Sequence, residues 1–161
     1  MQILPSYIST RLHYQHKSLI DTIDGLSDEQ VRRQVIPGKW SIFEHMVHLQ
    51  TYQHLFIVRV QKILAGTDPS FPRYSAEADP LFLENCSLST REIMQDLITT
   101  RKEMVTEMVQ FAETDFTKTA VHPAFGTMNL LQWMNFFLLH EGHHLFAIFK
   151  LTAELKKESN Q

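Results

Sequence analysis

The chain has 161 residues, the length of one domain, and its 43% hydrophobic and 20% charged residues exclude a disordered chain. A net charge of −3 excludes a general nucleic-acid footprint, no segment approaches the roughly 18 uninterrupted apolar residues of a membrane span, and the lone Cys86 excludes an intramolecular disulfide. The amino terminus lacks the basic start and apolar stretch of a signal peptide, so a cytoplasmic location is expected. Nine histidines stand against one cysteine, so any metal site is expected to use nitrogen and oxygen ligands.

In chain order, residues 5 to about 24 read as a first helix, with Ile8, Leu12, Leu19 and Ile23 near one stripe and Gly25 just past the end. Ser27 with Gln30 resembles a capping box that opens a short helix, and Pro37-Gly38 then breaks the chain. Ser41 with Glu44 is a second box, starting a long helix that ends near Gly66. Residues 67–85 hold three prolines and read as a loop. Ser89 with Glu92 opens a helix to about Ala112, residues 114–126 read as another loop, and a last helix runs from Met128 or Asn129 to Leu155. Four long helices and no convincing strand predict one all-α domain over residues 1–161, a four-helix bundle whose two long loops cross an end.

The last helix carries the string FLLHEGHHLFAIF, residues 137–149. His140 and His144 are about 40° apart on a helix, one turn from each other, and Trp133, Phe136, Phe137, Ala147 and Leu151 share their stripe. Two imidazoles on a core-facing stripe need partners, because unpaired buried polar groups are costly. A shared metal ion satisfies both. A third ligand has to come from elsewhere, and the second long helix offers His45, His48 and His54. His48 shares its face with Glu44, Tyr52, Leu55 and Arg59, while His45 lies about 60° away and His54 points nearly across the helix. His48, His140 and His144 then form a three-nitrogen set with open coordination positions, the stoichiometry of a catalytic metal site.

His140, Glu141 and His144 also match the H-E-x-x-H string of zinc proteases. The context that motif needs is missing. Ala147 stands where a metzincin has glycine, no later helix supplies a ligand, and no strand shapes a substrate cleft.

Two segments together resemble the DinB-like (YfiT-like) four-helix-bundle proteins. GKWSIFEHMVHLQTYQ, residues 38–53, is similar to the family's W-S-x-x-E-x-x-x-H-L signature, and HPAFGTMNLLQWMNFFLLHEGHH, residues 122–144, to its loop, long helix and final H-x-x-H-H. The resemblance covers nearly the whole chain and assigns the ligands to His48, His140 and His144, with His143 outside the set. It implies a divalent metal, commonly zinc or nickel, in a dimeric bundle. Some relatives are S-transferases using low-molecular-weight thiols, and others are described as metal-dependent hydrolases. Glu141 is not a fixed position of the family.

The expected function is therefore metal-dependent S-transfer from a small thiol to a small electrophile. The alternatives are a metal-dependent hydrolase or a metal-binding stress protein without turnover. The metal is expected near one end of the bundle. Glu44, Tyr52 and Glu141 are candidates to support the ligands, against a capping role for Glu44 and core packing for Tyr52. Arg59 reads as a surface or snorkelling residue that could instead bind an anionic substrate. His13 and His16 read as exposed, His122 as structural, Trp40 and Trp133 as packing residues, and Cys86 as lacking the neighbours of a nucleophile. Leu138, Leu145, Phe146 and Phe149 make the other face of the last helix apolar, which loops of the same chain or a second copy would cover; a homodimer is the expectation.

Overall fold

The computed structural model describes residues 4–158. Its helices are α1 (Ser6–Tyr14), α2 (Ser18–Ile23), α3 (Asp28–Arg32), α4 (Ile42–Leu64), α5 (Pro80–Asn85), α6 (Thr90–Met108) and α7 (Leu130–Glu158), with a hairpin of β1 (Thr119–His122) and β2 (Gly126–Asn129) before α7. All three capping boxes read from the sequence open helices. Ser27, Ser41 and Ser89 each accept from the backbone N–H three residues on, and Gln30, Glu44 and Glu92 reach back to the cap. These boxes set where α3, α4 and α6 begin, and so which face of each turns inward.

The bundle consists of α4, α6, α7 and the α1–α2 segment, with α4 packed on both α6 and α7. One apolar cluster gathers Ile8, Leu12, Phe56, Ile63, Met104, Trp133 and Phe137, and a second gathers Leu19, Ile42, Met46, Ile93, Leu97 and Ile148. The helices are thus sealed above and below their middle, and both clusters bury residues of α4 and α7. α7 extends to Glu158, slightly beyond the expected end.

Three sequence expectations change. The first helix is not continuous: a 3-10 turn at Gln15–Lys17 separates α1 from α2. Gln15 there donates from Nε2 to the Leu138 carbonyl (2.7 Å) and to Glu141 Oε2 (2.8 Å), so contacts with α7 accompany the break. The 67–85 connection contains α5, started by Asp79, whose side chain accepts from Leu81 N with Pro80 at the first helical position. The 114–126 connection ends in strand structure. Thr119 pairs with Asn129 and His122 with Gly126, and Gly126 adopts the φ of +72° that closes the turn. Ala120 and Met128 of the hairpin are buried, and Val121 exchanges backbone hydrogen bonds with Pro69 and Phe71 of the other connection. The two long connections therefore pair with each other.

Candidate metal centre

The capped start of α4 turns His48 toward α7, where His140 and His144 stand one turn apart. His48 Nε2 lies 3.0 Å from His140 Nε2, and His144 Nε2 lies 3.2 Å from the same atom. The three rings offer ligand atoms within 4.8 Å of one another. Nitrogens bound at about 2.0–2.1 Å to a tetrahedral ion sit roughly 3.4 Å apart, so the trio is close to ligating separation. The set lies between the two apolar clusters, not near one end of the bundle as expected, because each cluster continues along α4 and α7 on its own side of the histidines.

Proton counting supports a cation. An imidazole nitrogen either donates one N–H or accepts on one lone pair. His140 Nε2 makes close contacts with two other Nε2 atoms, and one hydrogen cannot serve both. A shared cation satisfies all three lone pairs. The rings are also kept neutral, as ligation requires. Burial pushes His48 down to about 3, with His140 and His45 adding to it. Burial likewise lowers His140 to about 4 and His144 to about 2.

Aromatic rings wall the trio. The Trp40 ring is 5.1 Å from that of His48 and stacks at 6.0 Å on His144 and 5.4 Å on Phe82. Tyr52 lies 4.2 Å from His140, and Tyr74 lies 5.8 Å from His48. A cavity of about 360 Å³ reaches His140 past Tyr52, Arg59, Tyr74, His122 and Phe136. A second, more apolar cavity of about 730 Å³ is lined by His45 and Trp40.

His45, set aside by its helical angle, joins the cluster. Its Nδ1 lies 2.9 Å from His144 Nδ1. If His144 turns its Nε2 lone pair inward, its Nδ1–H donates to His45, which holds the ring's tautomer and tilt. The sequence signal is His45 itself, one of three histidines on α4 and three residues before His48.

Other candidates have partners elsewhere. Glu44 Oε2 accepts from Ser41 N (2.7 Å), completing the cap. Glu141 is 2% exposed, and its carboxylate is taken up by the Arg101 guanidinium and by Gln15. Tyr52 packs on His140, and its hydroxyl accepts from Arg59 (3.3 Å). Arg59, read as a surface residue, is only 5% exposed, because Phe71, Trp133 and Tyr52 surround its guanidinium. His16, read as exposed, is buried beside Arg101; burial first, then that charge, lowers it to about 4. His13 is half-buried and bonds Ser9 O through Nδ1 (2.7 Å). His122 Nδ1 accepts from Ala124 N and Phe125 N, ordering the hairpin turn. Cys86 is half-buried, and burial, then Glu44, raise its thiol. Nothing local in the sequence marks Arg101 as the partner of Glu141, 40 residues on.

No described helix is long and apolar enough to cross a membrane. Among known proteins, YuaE of Bacillus subtilis (strain 168), itself uncharacterised, is 24% identical over 151 aligned positions that cover 84% of this chain and 91% of YuaE. Among solved structures, YfiT from Bacillus subtilis, described as a probable metal-dependent hydrolase with an unusual four-helix bundle topology, superposes with a TM-score of 0.79 at 16% identity, over 93% of this chain and 86% of YfiT. The four-helix bundle protein TT2238 matches with a TM-score of 0.63 at 20% identity, over 88% of this chain and 95% of its own. The family model of the DinB superfamily matches residues 11–148, a span that includes both arms of the histidine cluster, and the chain belongs to that superfamily, with a YfiT-like bundle.

Proposed function

We propose that this protein is a metal-dependent thiol S-transferase, with a divalent ion, zinc or nickel, held by His48, His140 and His144. The observation that carries the reading is the convergence of three neutral imidazole nitrogens beside a cavity without a lining carboxylate. Bound there, a divalent ion would supply Lewis-acid chemistry that favours the ionised form of a thiol or of water. Glu44 and Glu141, the carboxylates nearest the ligands in sequence, are engaged by the α4 cap and by Arg101. A thiol acidified in this way needs no general base, whereas hydrolysis gains from one. The thiol proton passes to solvent, sulfur bonds to the electrophilic carbon, and the leaving group departs with its electron pair. Trp40, Tyr52 and Tyr74 restrict water around the reacting atoms, and His45 holds His144 in place.

Hydrolysis is the second reading, favoured by the likeness to YfiT, described as a probable metal-dependent hydrolase. The deciding assay incubates metal-loaded protein with a panel of small thiols and monochlorobimane. Metal-dependent conjugate supports the transferase, turnover of an ester or amide without thiol replaces it with the hydrolase, and neither leaves a metal-binding stress protein. The protein is further proposed to work in the cytoplasm and as a homodimer; the dimer is supported by Phe146 and Phe149 of the expected apolar face, with Leu139, standing exposed on α7, while Leu138 of that face is buried in the core and Leu145 is partly buried.

A further inference from the structure

Among the described residues, Arg59 is a buried cation without an anion. Its guanidinium lies 5.2 Å from the Phe71 ring centroid, 5.7 Å from Trp133 and 5.8 Å from Tyr52. Its hydrogen bonds are two long ones, from Nη1 to the Tyr52 hydroxyl (3.3 Å) and from Nη2 to the Pro72 carbonyl (3.4 Å). Among the described residues no carboxylate pairs with it. Arg101, the other buried arginine, shows the contrast, with Glu141 against it. A buried charge is costly unless it is paired. Cation–π contacts recover only part of that cost.

Arg59 also lines the cavity that reaches His140. Arg73 lines it too, and no aspartate or glutamate does. His122 accepts two backbone N–H groups on Nδ1, so its neutral ring carries its proton on Nε2 as a further donor. Arg59 is near enough to His122 to add to the lowering of its pKa, after the larger effect of burial.

We infer that this cavity selects small molecules carrying an oxyanion group, a carboxylate or a phosphate, which the Arg59 guanidinium binds while the other end reaches His140. The planar guanidinium fork matches either group with two parallel hydrogen bonds. A substrate anion supplies the missing counter-charge, so Arg59 is a specificity-determining residue kept at a cost to the free protein. The inference rests on the proposed metal chemistry only for what happens at the His140 end.

The test is thermal unfolding of the full-length, metal-free protein with succinate or inorganic phosphate, against sodium chloride at equal ionic strength. Ligand binding to the folded state raises Tm. Wild type is expected to gain Tm over the chloride control; a response to succinate alone identifies a carboxylate site, and one to phosphate alone a phosphate site. Arg59→Met keeps the stem against the rings and is expected to lose the response, an affinity loss of about ten-fold or more. Arg59→Lys keeps the charge without the fork and serves if Arg59→Met does not fold; it and the exposed-site variant Arg73→Ala are expected to weaken the response. No gain over chloride in wild type, or equal gains in wild type and the Arg59 variant that folds, overturns the inference. His48→Ala is expected to keep the anion response, which separates this inference from the metal reading. In the conjugation assay, mercaptopropionate is expected to outcompete mercaptoethanol in wild type but not in the Arg59 variant. Conjugation that ignores the carboxylate sinks the oxyanion site and leaves the transferase standing.

Discussion

Arg101 on α6 and Glu141 on α7 form an ion pair sealed from solvent, 1% and 2% exposed. Gln53 Oε1 accepts from Arg101 Nε (2.7 Å), the Leu12 carbonyl accepts from Nη1 (3.3 Å), and Gln15 donates to Glu141 (2.8 Å). One charge pair therefore gathers α1, the 3-10 turn, α4, α6 and α7, with Glu141 next in sequence to a proposed ligand. Glu141→Ala leaves a buried guanidinium uncompensated and is expected to cost about 3–5 kcal/mol. Urea unfolding of the metal-free protein measures it. The double variant Arg101→Met, Glu141→Leu is expected to recover much of the loss, because it removes both charges. An additive double variant would contradict the coupling.

The metal set is checked by composition. His48→Ala, His140→Ala and His144→Ala are each expected to lose most bound zinc or nickel in elemental analysis of purified protein, since each removes one of the three proposed ligands. Full occupancy in all three variants would contradict the assignment.

His45 has a distinct signature. His45→Phe keeps a ring beside Trp40 but removes the acceptor for His144, and is expected to weaken metal affinity by about 10–100-fold. Competition with a chromophoric chelator reads this directly. Stoichiometry at saturating metal should remain that of wild type, unlike the ligand variants.

Acid stability follows from the same buried rings. His16, His45, His48 and His140 all titrate below their ordinary 6.5 in the folded protein, at about 4, 4, 3 and 4. Between 6.5 and about 4 the unfolded chain therefore binds more protons than the folded one, and stability rises with pH in that window and is lost on acidification. Metal-free protein should show a falling urea midpoint from about pH 7 to about pH 5. His16→Leu should flatten the slope without touching the metal, because His16 lies beside Arg101 and away from the trio.

The exposed apolar face of α7 bears on assembly. Phe146 and Phe149 stack on each other and are 61% and 58% exposed. Phe146→Glu with Phe149→Glu is expected to shift a dimer toward the 18.8 kDa monomer in light scattering. A wild-type mass at the monomer value at every concentration would contradict the dimer.

Much of this molecule is written locally. The boxes at Ser27, Ser41 and Ser89 are readable because each is a contact between residues three apart, made wherever the helix starts. The spacing of His140 and His144 places both on one face before any packing is known, and the inward stripe of α4 brings His48 forward in the same way. Other features depend on distant partners. The break after Tyr14 accompanies Gln15 contacts with α7, more than 120 residues on. The hairpin strands are four residues each, and their pairing includes hydrogen bonds to Pro69 and Phe71. Arg59 and His16 look like surface residues along the chain, and only the packing of rings and of Arg101 against them makes them interior.

By itself, then, the sequence determined the helical periods, the caps and the faces that carry the histidines, since these follow from geometry within a few residues. Tertiary structure alone decided that His45 meets His144, that Glu141 belongs to Arg101 instead of a catalytic motif, and that Arg59 faces a cavity without a counter-ion. Those are contacts between residues far apart in the chain. Their free energy depends on burial, and burial of a charge or an imidazole exists only once the helices have closed around it.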